Sequence, residues 1–290
     1  MKRIFCLCLL ILSLFTYTGC SVSVEEAQVV ATTLPVYEFT LRLCENTPIT
    51  VSRLITEPVS CLHDYSLSVS QAKAIERAEI IVISGGGLED FLEDALAHGN
   101  KILDSSQSLS LHSHEKDASH ADHDHHHDPH IWLSPAYAKL MAKNICQGLQ
   151  AQYPQYAPVM EENLGGLLSD LQALETYAAE ALSQLRCREL ITFHDGFSYL
   201  AEAFDLTILK AVEEESGSEA SAKILKELTL LIRQHRLPGI FTEKNGSTSA
   251  ADILHAETGV AVFSLDMAIS GSSYFDAMYH NIDTLKEALQ

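Results

Sequence analysis

The chain has 290 residues, 47% of them hydrophobic, and a formal charge of −20. That length holds one large core or, more comfortably, two of ordinary size. An acidic excess of this size excludes nucleic acid as a partner and suits a surface that handles cations.

At the start, Lys2 and Arg3 precede an apolar run from Ile4 to Phe15. A run of about 12 residues falls short of the roughly 20 that cross a bilayer as a helix, so residues 1–19 read as a signal peptide. Gly19-Cys20 closes it and resembles a bacterial lipobox. That implies lipidation at Cys20, a tether over 20–26, and anchoring at the extracytoplasmic face of a bacterial cell membrane. Cys44, Cys61, Cys146 and Cys187 then remain without a CxxC spacing. They allow three pairings or free thiols.

From Ala27 the pattern alternates. Strands are expected at 29–32, 49–55, 80–84 and 101–104, with helices from Pro35 to Cys44, from Ser68 (as N-cap) to Ala78, and over 88–97. Gly85-Gly86-Gly87 lacks the spacing of a phosphate-binding loop and reads as a tight turn. After a long polar stretch, helices are expected over 135–153 and 159–186. The second carries Leu164, Leu167, Leu171, Leu174, Leu182 and Leu185 at three- and four-residue steps, long enough to connect two lobes. The alternation then resumes. Strands fall at 189–193, 206–212, 240–242 and 260–265, and helices at 196–204, from Ser216 (with Glu219 as a capping box) to His235, from Ser247 to Thr258, and over 274–289. Gly259 stands where a helix-ending glycine belongs. The expected fold is α/β: two β/α lobes with mostly parallel sheets, over 27–153 and 187–290, joined by a long helix within 154–186.

The polar stretch from His112 to Trp132 holds eight of the fourteen histidines, together with four aspartates and a glutamate. Imidazole is the commonest side-chain ligand for zinc and its neighbours, and carboxylates attract a dication. His112, His114, His120, His123, His125, His126 and His127 read as a metal-gathering loop. Four further candidate ligands are His63, His130, His194 and Asp266. In open α/β sheets ligands collect beyond the carboxyl ends of strands. His194 directly follows one expected strand, and Asp266 another. Two candidates come from each lobe, so a metal held by all four would clamp the lobes together. Glu243 also ends a strand. It is an alternative ligand, or a residue that orients a ligating histidine through its other nitrogen.

Asp128-Pro129-His130-Ile131-Trp132-Leu133-Ser134-Pro135, Phe193-His194-Asp195-Gly196-Phe197 and Glu257-Thr258-Gly259 resemble the signatures of the zinc/manganese-binding lipoproteins of metal ABC importers. The resemblance runs from about Ala27 to Gln290. It implies a metal between the lobes, His63, His130, His194 and Asp266 as its ligands, and delivery by a monomeric lipoprotein to a membrane permease. Around His63 the sequence reads Leu-His-Asp-Tyr-Ser, without the proline and glutamate usual in the family. Three imidazoles and one carboxylate suit tetrahedral Zn(2+), whereas Mn(2+) prefers more oxygen.

Two other classes compete. A zinc hydrolase needs an open metal position and a general base, and no HExxH motif occurs. A surface adhesin or metal buffer would place the whole function in the histidine loop. A non-enzymatic zinc-binding transport lipoprotein is the expectation; a manganese-specific homologue is its nearest variant.

Overall fold

The computed structural model describes residues 27–59, 62, 65–92, 101–112, 127–212 and 220–290. The signal peptide, Cys20, Cys61, His63 and the loop histidines from His114 to His126 lie outside them.

The N-terminal lobe is a parallel sheet of β1 (Val29–Ala31), β2 (Val51–Arg53), β3 (Ile80–Ile83) and β4 (Lys101–Asp104), in the order β2-β1-β3-β4. Val29, Val30, Ile80, Ile81 and Val82 are buried, as expected of strands covered on both faces. Beyond Arg53 the pairing continues, since the amides of Leu54 and Ile55 donate to Ala31 and Thr32. The helices are α1 (Leu34–Leu43), which opens with a proline in its first turn, and α2 (Val69–Arg77). Ser68 caps α2 through a reciprocal capping box with Gln71.

The glycine run is the tight turn expected. All three glycines have positive φ, from +69 to +90, a region open to glycine at little cost. A Cβ on Gly85 would fall 1.9 Å from an Asp104 oxygen. The turn folds Glu89 back so that its carboxylate accepts the amides of Ser84 (2.7 Å) and Gly85 (3.0 Å) and the Thr32 hydroxyl (2.7 Å). The helix expected over 88–97 begins as a short 3-10 turn at Asp90–Leu92, and the rest lies outside the described residues.

Between the lobes run α3 (Pro135–Gln152) and α4 (Ala157–Ala181). Leu164, Leu167, Leu171, Leu174 and Ala178 form the buried stripe of α4. Its 25 residues span roughly 38 Å. The helix stops at Ala181 rather than 186, although the leucine spacing continues. There the amides of Arg186 and Cys187 turn to the carbonyl of Leu289, and Arg188 takes the carbonyl of Leu182. Tertiary partners outbid the helix.

The C-terminal lobe repeats the first topology. Its sheet holds β5 (Glu189–Thr192), β6 (Thr207–Ala211), β7 (Gly239–Glu243) and β8 (Ala261–Leu265), in the order β6-β5-β7-β8. The helices are α5 (Ser198–Ala203), α6 (Ala222–His235), α7 (Ser249–Thr258) and α8 (Tyr274–Leu289). Two caps differ from expectation. Ser221 caps α6 by accepting the Ile224 amide, the expected Ser216 and Glu219 lying outside the described residues, and Thr248, not Ser247, precedes α7. Gly259 ends α7 at φ +77, as expected. The expected helix at 196–204 starts only at Ser198, because residues 193–196 form the bend that presents His194.

The lobes are bolted together along one strap after β8. Leu34 donates its amide to Ile269 O (3.1 Å), Trp132 its indole N–H to Met267 O (2.7 Å), and Arg53 its guanidinium to Gly271 O (2.7 Å).

Candidate metal site

His130 is set by the segment on either side of it. Ile131–Leu133 forms a fully buried 3-10 turn, and Trp132 is pinned at both its indole N–H and its carbonyl, the latter by the Tyr274 hydroxyl (2.8 Å). One oxygen of Asp128 takes both the His130 amide (3.0 Å) and its Nδ1 (2.8 Å). The other accepts the Ser198 hydroxyl of α5, across the lobe seam. Burial pushes the Asp128 carboxyl up, but the His130 hydrogen bond and charge, with Ser198, outweigh it and hold it below the usual carboxylate value. A carboxylate only accepts, so Nδ1 carries a proton toward it and Nε2 is the nitrogen turned to the seam.

His194 follows β5, and Glu243 ends the neighbouring β7. The two strands flank the point where the strand order of this sheet reverses, the usual ligand crevice of such folds. Glu243 Oε2 lies 3.3 Å from His194 Nδ1, so this ring is also oriented by a buried carboxylate. The Nε2 atoms of His130 and His194, from opposite lobes, stand 3.4 Å apart with their rings nearly perpendicular, at 87°. The two Nε2 atoms thus face one point at the seam. Gly196 makes room for the His194 ring: a Cβ there would lie 2.6 Å from that ring and 2.7 Å from Met267 Cε.

Asp266 follows β8 as expected, and its backbone is clamped in both directions by buried Asn281 (2.7 Å each way). Its carboxylate is engaged elsewhere. Oδ1 accepts the Ala268 amide (2.9 Å) and Oδ2 the Lys244 ammonium (2.7 Å). Among the described residues no three His, Cys, Asp or Glu side chains are gathered as one metal-holding group. The structure thus brings together His130 and His194, sets Glu243 behind His194, and leaves Asp266 paired with Lys244. His63 lies outside the described residues.

The two ends of the histidine-rich stretch meet, the Asp128 amide donating to His112 O (2.9 Å). His112 is docked on α5, stacked on Tyr199 with ring centroids 4.1 Å apart and bonded to Glu202 (2.7 Å). Sequence reasoning missed Asp128, Ser198, Gly196 and Lys244. Only Asp128, two residues before a candidate ligand, had a readable signal.

A repeated β/α lobe, a bridging helix and an imidazole offered from each lobe at the seam define a two-lobed substrate-binding protein. The chain belongs to the zinc-uptake complex component A periplasmic (ZnuA) family, whose model matches residues 29–288. It is 31% identical over 283 residues to the zinc-binding lipoprotein AdcA of Streptococcus pneumoniae, covering 90% of this chain and 56% of that one. It is 27% identical to the high-affinity zinc uptake system protein ZnuA of Bacillus subtilis, covering 91% and 88%. The chain thus spans about half the length of the AdcA relatives it matches. Among solved structures, a ZnuA crystal structure superposes with a TM-score of 0.79 at 27% identity, covering 91% of this chain and all of that one. Zn(II)-bound AdcA from Streptococcus pneumoniae gives 0.76 at 28%, covering 91% and 57%.

Proposed function

We propose that this chain is the extracytoplasmic binding component of a zinc ABC importer, capturing Zn(2+) and handing it to a membrane permease. The observation that carries the reading is the pair of Nε2 atoms 3.4 Å apart, one from each lobe, each ring oriented by a carboxylate at its Nδ1. Two Zn–N bonds of about 2.0–2.1 Å at a tetrahedral angle separate their nitrogens by roughly 3.3–3.4 Å, so the donor set fits this cargo. His63 and Asp266 complete the proposed set with His130 and His194, and Glu243 orients His194. The segment from His112 to His127 gathers metal beside the seam, and Cys20 carries the lipid that keeps the protein at the membrane. The function is binding and delivery rather than catalysis.

The test is calorimetry against a competing chelator on the mature chain, on His194→Ala, and on a variant lacking 113–126 so that the contacts of His112 and Asp128 stay. One tight site that survives the deletion and is lost with His194→Ala is expected. Tight binding that leaves with the loop and ignores His194 would hand the function to the loop, as a metal buffer or adhesin.

A further inference from the structure

We propose that Lys244 is a built-in competitor for the metal, holding the Asp266 carboxylate when no dication is bound and speeding the departure of one that is. The inference rests on the zinc-binding reading above. Its ground is the engagement of Asp266. Both carboxylate oxygens have partners, Lys244 Nζ at 2.7 Å and the Ala268 amide at 2.9 Å, and the side chain is only 11% exposed. Asn281 fixes the Asp266 backbone, and Ala268 holds a left-handed φ of +53. The carboxylate therefore cannot reach a new partner by moving its own main chain.

The lysine is the mobile member of the pair. Its backbone is tied to β8 through Leu265 O (2.8 Å), but its side chain is 56% exposed and can withdraw its ammonium into water. A dication and an ammonium compete for the same carboxylate: ligation through Oδ2 breaks the ion pair, and re-forming the pair favours release. Two consecutive residues at the end of β7 thus address two different ligands. Glu243 orients His194, and Lys244 occupies Asp266. A delivery protein needs such a device, because a site that only binds well does not unload.

The experiment compares the mature chain with Lys244→Met, Lys244→Arg and the double variant Lys244→Met/Asp266→Asn, with His194→Ala as control. Zinc affinity is read by chelator competition, dissociation by stopped-flow with excess chelator, and the metal-free melting temperature by calorimetry. Lys244→Met is expected to bind zinc about tenfold more tightly, chiefly through slower dissociation, since removing a nearby positive charge favours the dication. Its metal-free form should melt lower, because a buried carboxylate loses its cation. Lys244→Arg should restore the weaker binding, and in the double variant the gain in affinity should vanish. Unchanged affinity in Lys244→Met, or affinity falling together with melting temperature, would overturn the inference and leave Lys244 a strut. If His194→Ala binds zinc as well as the parent, the zinc-site reading itself falls, and this inference with it.

Discussion

The two faces of the C-terminal sheet are built on different scales. On its inner face Leu190, Phe197, Tyr199, Phe241 and Leu265 join one continuous core that runs through α8, α4 and α3 to β1 and β3 of the other lobe. On its outer face Ile191, Val212, Leu228, Ile232, Leu237, Ile240, Ala251, Leu254 and Val260 form a separate, thin cluster under α6 and α7. Strand alternation divides them: Leu190 and Phe241 face one way, Ile191 and Ile240 the other. His194 and Glu243 stand at the ends of the strands that separate the two. The candidate site therefore has a thick, shared core behind one side and a thin layer behind the other. Relative motion of whole lobes would tear the shared core. Rearrangement of the outer layer would not.

The strongest test of that contrast is Trp132→Ala. This fully buried side chain joins His130 to the inter-lobe strap, and its removal should cost about 3–5 kcal/mol by denaturant melts and weaken zinc binding as well. Next comes pH. Burial pushes the Glu89 carboxyl up to about 7, against hydrogen bonds from Thr32 and the amides of Ser84 and Gly85 that favour ionisation. A raised acid stabilises the fold in its protonated form, fully below the unfolded value of 4.5, and that contribution is lost as pH rises through about 7. Between pH 4 and 8 the parent should lose about 3 kcal/mol of stability that Glu89→Gln keeps. Parallel curves for the two proteins would refute this. The smallest effect belongs to the outer layer. Leu254→Ala should cost about 2–3 kcal/mol and leave zinc affinity near that of the parent. Amides of α6 and α7 should exchange sooner than those of α3 and α4. A loss of affinity equal to that of Trp132→Ala would erase the distinction between the two faces.

Much of this was readable in the chain. Alternating β-branched runs and helical stripes located both sheets, Ser68 and Gly259 marked helix ends, and the strand-end rule put His194, Glu243 and Asp266 on the right edge of the fold. What escaped depends on pairing between distant segments. Lys244 meets Asp266 only because β7 and β8 align Glu243 with Leu265, a register that no local pattern encodes. The early stop of α4 and the Ser198 hydroxyl on Asp128 are likewise decided by partners far along the chain. Propensity sees neighbours in sequence; these groups answer to neighbours in space.

The closure at His112 and Asp128 has a practical side. His112 and Asp128 are joined at one hydrogen-bonded point, so whatever length of chain lies between does not set the positions of these ends. For an inserted flexible stretch, each doubling of length adds only about 0.6 kcal/mol of closure entropy. The segment is thus a docking port for protein engineering. A fluorescent reporter or an affinity handle spliced there should leave His130 where it is, and would turn the protein into a sensor read out at its own seam.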